Sequence, residues 1–203
     1  MERDLLPLRR CILEPTAEVL ETGLMIEEAG LLLMAGDRAR AAAILKEADM
    51  PSLRRHVEQA GKSVARFPRS REPLPKTERS AKRNSSAATI RGLFERDGWK
   101  CRFCGIRVIE ASVRDKLRRE FPDVVRWDSK DADKHAGIYI HMASHDHVLP
   151  WSHGGTNDLK NLVTACWTCQ FARGEWLLED IRVADPRFRE PLRDDWDGLR
   201  RIL

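Results

Sequence analysis

No apolar run in this chain approaches the roughly 20 residues that a membrane-spanning helix needs, so no spanning segment is expected. The first residues, Met1 to Thr16, have too short an apolar stretch and too many acids for a signal peptide. Cysteine is scarce, five residues in 203, and four of the five fall into two CxxC pairs. That usage suits a reducing compartment and a bound metal better than a disulfide framework. A cytoplasmic location is the expectation. Between Lys62 and Ala88 apolar residues become rare as well, so this stretch lacks what a packed unit needs.

What is present is enough for one or two domains with a real core: 203 residues, 42% apolar and 33% charged. The net charge of +4 is unevenly spread. Residues 1–61 hold 8 Lys/Arg against 11 Asp/Glu, residues 62–88 hold 8 against 2, and residues 89–203 hold 20 against 19. The basic excess therefore sits in the middle, with Pro68, Pro73 and Pro75 and several serines. Such a stretch attracts nucleic acid phosphates without regard to sequence, or is simply a solvated linker. It divides the chain into residues 1–61, 62–88 and 89–203.

Residues 1–61 read as a small all-α unit. Thr16 is placed to cap a helix reaching about Leu33, with Val19, Leu20, Leu24, Ile26 and Leu31 as its apolar residues. Asp37 caps a second helix after the break at Gly36, and Pro51 opens a third that ends near Gly61. Cys11 reads as a small apolar residue and His56 as a surface residue. No chemistry is evident here, and a homodimer contact or a docking surface for a protein partner is the expectation.

The chemistry lies further on. Thr89 to Arg96 suits a short helix, followed by Cys101 and Cys104 on a tight turn that Gly105 permits. Cys166 and Cys169 repeat the spacing after 61 intervening residues. Two CxxC pairs make a tetrahedral, all-thiolate Zn²⁺ site without an open position, hence structural; reduced, buried thiol clusters are the alternative. Between the pairs, Ile106 to Ile109 looks like a strand and Ser112 to Phe121 like a basic helix. In that helix Arg114, Lys116, Arg118 and Arg119 face either phosphates or solvent.

Tyr139 to Val148 reads as a strand that ends on the pair Asp146 and His147. Pro150, Gly154 and Gly155 then form a loop where positive φ or a close backbone approach is needed. A second short strand holds Leu162 and Val163, and a helix starts near Gln170. This order brings Asp146, His147, Asn161 and Gln170 together. A His that titrates near neutrality can take a proton from water, while Asp146 and the amide oxygen of Gln170 are hard ligands for Mg²⁺ or Mn²⁺. Arg173, three residues past Gln170 and so on the same helix face, is placed to clamp a phosphate. Of the other histidines, His135, His141 and His145 read as structural or supporting, and His153 as either exposed or touching phosphate.

Cys101, Cys104 and Gly105, then Asp146, His147 and Pro150, Ser152, Gly154 and Gly155, Asn161 and Leu162, and finally Cys166 and Cys169 resemble the zinc-stapled branch of the HNH endonuclease family. The resemblance covers about residues 89–176, less the insertion after the first cysteine pair. It implies an α+β fold of the ββα-metal type that hydrolyses phosphodiester bonds with one divalent cation. It also implies His147 as general base, Asp146 as metal ligand and Asn161 as the brace of the loop. Gln170 stands where the family usually has His or Asn as a second metal ligand. DNA is the expected substrate, with RNA as the alternative. Other readings are a zinc-stapled nucleic-acid-binding module that has lost catalysis, and the effector subunit of a defence or mobile-element system.

Overall fold

A computed structural model describes residues 7–80 and 85–203. Residues 1–6 of the amino-terminal segment and residues 81–84 of the basic stretch lie outside the described residues.

The first three helices start where their caps dictate. In α1 (Ala17–Met34) the Thr16 hydroxyl accepts from Val19 N at 3.4 Å. In α2 (Arg38–Glu47) the Asp37 carboxylate accepts from Arg40 N at 3.2 Å, and Gly36 makes the break at φ 83°. Helix α3 (Pro51–Ala65) opens on proline, whose missing N–H costs nothing in a first turn. It runs past Gly61 because Leu53, Ala60 and Val64 continue one buried face.

The buried face of α1 differs from the expected one. Val19 and Ile26 are buried with Thr22, Gly23, Ala29 and Gly30, whereas Leu20, Leu24 and Leu31 are about half exposed. Small residues decide this, because they let the helix come close to its neighbours. A Cβ on Gly30 would lie 2.5 Å from Leu199 Cδ1, and one on Gly23 would lie 3.0 Å from His141 Cε1.

The helices share their apolar faces with the rest of the chain. One cluster joins Ile12, Val19, Leu53 and Val64 to Phe103, Val108, Val163 and Ile181. A second joins Ile26, Ala41 and Leu45 to Trp99, Ile109, Leu117 and Leu199. Cys11 is buried in the first cluster, and His56 is buried on α3, contrary to its expected place on the surface. His56 lies on the face that carries Leu53 and Ala60, which turns it inward.

Past α3 the described part of the basic stretch is tied down at several points. Ser70 N donates to Asp180 Oδ1 at 3.1 Å and Leu74 N to Ser152 O at 2.8 Å, and Lys76–Glu78 form one 3₁₀ turn. Helix α4 (Ala87–Arg96) follows, capped by Ser86, and the insertion supplies α5 (Ala111–Glu120). Ile106 to Ile109 forms two isolated bridges, Lys100 with Arg107 and Ile109 with Met142, rather than a strand.

The segment expected as one strand divides. Its first part belongs to α6 (Ala136–Ile140), which His135 starts by accepting from Ile138 N at 3.2 Å; all five residues of α6 are buried. Strand β1 (Ala143–His147) then pairs antiparallel with β2 (Leu162–Cys166), with Ala143 opposite Cys166 and His147 opposite Leu162. Helix α7 (Trp167–Arg173) leaves β2 directly, three residues earlier than expected, because Cys166 itself caps it. The carboxy-terminal residues Trp196, Leu199 and Ile202 pack into the second cluster, and Leu203 stays exposed. No helix among the described residues is long and apolar enough to cross a membrane.

Candidate active site and thiolate centre

Four thiols converge, two from the turn at Cys101–Gly105 and two from the junction of β2 with α7. The ligand atoms of Cys101, Cys104, Cys166 and Cys169 lie within 4.8 Å of one another, and Cys104 Sγ is 3.7 Å from Cys166 Sγ. Sulfurs about 2.3 Å from a tetrahedral Zn²⁺ stand about 3.8 Å apart, so this donor set fits that ion. Each pair sits on a fixed turn. Gly105, at φ 83°, donates to Cys101 O at 2.8 Å, and Cys169 N donates to Cys166 Sγ at 3.4 Å. The first knuckle is fastened to β2 by Arg102 N donating to Thr164 O at 2.8 Å. Buried Asp97 adds to this, accepting from Thr164 N at 2.7 Å and from the side chains of Arg96 and Arg102.

Protonation in the cluster is shared. Burial opposes ionisation of Cys101, yet donation by Cys104, Cys166 and Cys169 holds its pKa well below that of an ordinary thiol. Hydrogen bonding to Cys101 and Cys166 pushes Cys104 up, and hydrogen bonding to Cys101, Cys104 and Cys166 pushes Cys169 up. A dication bound by the four sulfurs would displace the protons that these thiols carry.

The second centre lies where β1 ends. Asp146, His147 and Gln170 line one cleft of about 430 Å³, together with Pro150, Trp151, Phe171 and Glu175. In β1 alternation sets the His145 and His147 rings on one face, 5.9 Å apart between centroids. His147 Nε2 lies 2.9 Å from Asn157 Oδ1. Gln170 Nε2 donates to His145 O at 3.2 Å, so the amide oxygen is the atom left for a ligand.

Asn161 stands outside this cleft lining and ties the loop instead. Its Oδ1 accepts from Leu149 N at 2.8 Å, and its Nδ2 donates to Leu149 O at 3.1 Å and Thr156 O at 3.0 Å. The two loop glycines meet both expected needs. Gly154 has φ 90°, and a Cβ on Gly155 would lie 1.8 Å from Leu149 O.

Arg173 departs from the expected role. It has no exposed surface, and a guanidinium so placed cannot reach a phosphate in the cleft. Its Nη1 donates to Asp146 Oδ2 and His147 O, and its Nη2 to Val148 O, each at 2.6 Å. Burial raises the pKa of Asp146, with Arg173 and His147 pulling the other way. The helical spacing that puts Arg173 on the face of Gln170 thus aims it at the end of β1.

The remaining histidines are inside the protein. His135 Nε2 faces Leu45 O at 2.7 Å, while His141 lies between Arg107 O at 2.6 Å and Val19 O at 3.1 Å. His153 is buried as well, which removes it from the surface. In α5, Arg114 stacks on Trp127 at 4.7 Å and Lys116 pairs with Glu120 at 2.8 Å.

Two residues of this centre were not anticipated from the sequence, Asn157 against His147 and Arg79 in the cleft lining. Asn157 positions the imidazole, and a polar amide in the loop after a base was a signal available for it. Arg79 lines the same cleft from the basic stretch, and nothing local in the sequence distinguishes it from the neighbouring cations. No curated protein and no solved structure matches the chain. Residues 133–173, from the approach to α6 through Arg173, match the family model of the HNH endonuclease, the family that the cysteine pairs and the Asp146–Gln170 motif resemble.

Proposed function

We propose that the chain is a metal-dependent endonuclease that hydrolyses phosphodiester bonds in DNA, with a structural Zn²⁺ held by Cys101, Cys104, Cys166 and Cys169. The observation that carries this reading is the convergence of Asp146 and His147 from β1 and Gln170 from α7 on one cleft. The match of residues 133–173 to the HNH endonuclease family supports it.

His147 serves as general base. Asn157 Oδ1 is an acceptor, so the facing Nε2 carries the ring proton and Nδ1 keeps the lone pair that removes a proton from water. Asn161 holds the loop that carries Asn157 and so sets the ring's orientation at one remove. Arg173 occupies Asp146 Oδ2 and counters the burial of that carboxylate, leaving the other oxygen for coordination. Asp146 and the Gln170 amide oxygen would hold Mg²⁺ or Mn²⁺, which supplies polarisation of the scissile phosphate and a counter-charge for the leaving oxygen. Two protein ligands suit such an ion, which keeps several positions for water and substrate.

Supercoiled plasmid incubated with the protein and Mg²⁺ or Mn²⁺ should be converted to nicked or linear product, and EDTA should abolish this. A second reading, a nucleic-acid-binding module that has lost catalysis, is favoured by the Arg173–Asp146 ion pair and by glutamine at 170. It predicts DNA binding without cleavage in either metal, and cleavage gained in Gln170→His.

A further inference from the structure

The cleft that holds Asp146, His147 and Gln170 is completed by a side chain from outside the strand–strand–helix unit and outside residues 133–173. Arg79 follows the 3₁₀ turn Lys76–Glu78 of the basic stretch, and its position is set by contacts on both sides. Arg79 Nε donates to Leu74 O at 2.8 Å, and Leu74 N donates to Ser152 O at 2.8 Å. The guanidinium carbon lies 5.1 Å from the centroid of the Trp151 ring, and Trp151 Nε1 donates to Ser80 O at 3.0 Å. The stretch is thereby fastened to the loop between β1 and β2 at Leu74 and at Ser80, on either side of Arg79.

Charge makes this placement informative. Among the described residues that line the cleft, Arg79 is the one Lys or Arg, and Asp146 and Glu175 are the carboxylates. Glu175 is already paired with Arg69 at 2.5 Å, and Arg173 is enclosed with Asp146. A phosphodiester entering the cleft therefore finds its cationic side chain in Arg79. With Nε used and one face on an indole, the terminal amino groups form the planar fork that takes two phosphate oxygens.

We propose that Arg79 is the phosphate-binding residue of the cleft, delivered by the basic stretch so that a nucleic acid backbone is gripped beside His147. The proposal rests on the nuclease reading of the cleft, and the test separates the two. Binding of a DNA duplex by the full chain is measured in EDTA over a range of salt concentrations, with cleavage measured separately in Mn²⁺. Arg79→Ala should weaken binding about tenfold or more, the scale of a lost charge-assisted contact. The slope of log K against log salt should flatten by about 0.9, one phosphate's worth. Arg79→Lys should keep the slope and lose part of the affinity, and Lys46→Ala, on α2 outside the cleft, should change neither. In cleavage, Arg79→Ala should raise KM more than it lowers kcat. Unchanged affinity and slope in Arg79→Ala, or an equal loss in Lys46→Ala, would overturn the proposal even where wild-type protein cuts DNA. The expected binding losses in a protein that never cuts would uphold Arg79 as the phosphate contact and overturn the nuclease reading.

Discussion

Arg173 joins a helix to a strand end through one guanidinium. Removing it would leave the Asp146 carboxylate and the His147 and Val148 carbonyls buried without their donor. Arg173→Ala should therefore destabilise the protein by about 3–5 kcal/mol, the range for breaking one side of a buried pair. Denaturant midpoints would measure it, and a loss below about 1 kcal/mol would contradict the network, being no more than a surface pair contributes. Sequence spacing placed Arg173 on the right helix face but could not say which neighbour lies there. Asp146 was legible as chemistry, and its burial against Arg173 was not. His135 and His141 carry a second prediction at this scale. Burial lowers both imidazole pKa values below the ordinary 6.5, so the unfolded chain binds those protons more readily. Stability present above about pH 6.5 is then lost as pH falls below it. The melting temperature should drop between about pH 7 and pH 5, and His135→Asn should reduce that slope. A melting temperature that rises over the same window would contradict the assignment.

At the scale of elements, local rules were the readable part. Thr16, Asp37 and Pro51 mark helix starts by a mechanism confined to one turn, and those starts are where the structure has them. Burial was harder to read. The exposed leucines of α1 and the buried glycines beside them follow from how closely Leu199 and His141 approach, which depends on residues more than 100 positions away. The same limit turned Tyr139 and Ile140 into helix, since an all-buried five-residue segment has no alternation to reveal its period. The hairpin loop carries a sharp test. Gly155→Ala would push Cβ into Leu149 O and Asn161 Nδ2, the groups that close the loop. Displacing His147 by about 1 Å in this way should lower cleavage about a hundredfold, and unchanged activity would show that the loop does not set the base. The thiolate centre is tested by composition. Metal analysis should find one zinc per chain, and Cys101→Ser or Cys166→Ser should unfold the hairpin and α7; folded protein free of zinc would contradict the assignment.

Across the whole molecule, the composition shift at residues 62–88 marked a break in the chain, whereas the packing joins what lies on either side. The first apolar cluster joins α1 and α3, and the second α1 and α2, to residues after 89, a pairing that long-range contacts alone reveal. Trypsin should cut first in the Arg-rich stretch between about Arg66 and Arg79, where most residues are exposed. The two fragments should nevertheless co-elute on gel filtration. Fragments that separate without denaturant would contradict the shared core. The same stretch reaches the cleft through Arg79, so shortening it should impair binding without unfolding the thiolate centre. Everything functional in this account converges on His147 as a base beside a metal held by Asp146 and Gln170. The most direct test compares plasmid cleavage by wild-type protein, His147→Ala and Asp146→Ala across Mg²⁺ and Mn²⁺ concentrations, with DNA affinity measured in parallel. His147→Ala should bind DNA normally and cut roughly 10²–10⁴-fold more slowly at every metal concentration, the contribution of a positioned base. Asp146→Ala should regain part of its activity in excess Mn²⁺. Cleavage undiminished in His147→Ala would contradict the account.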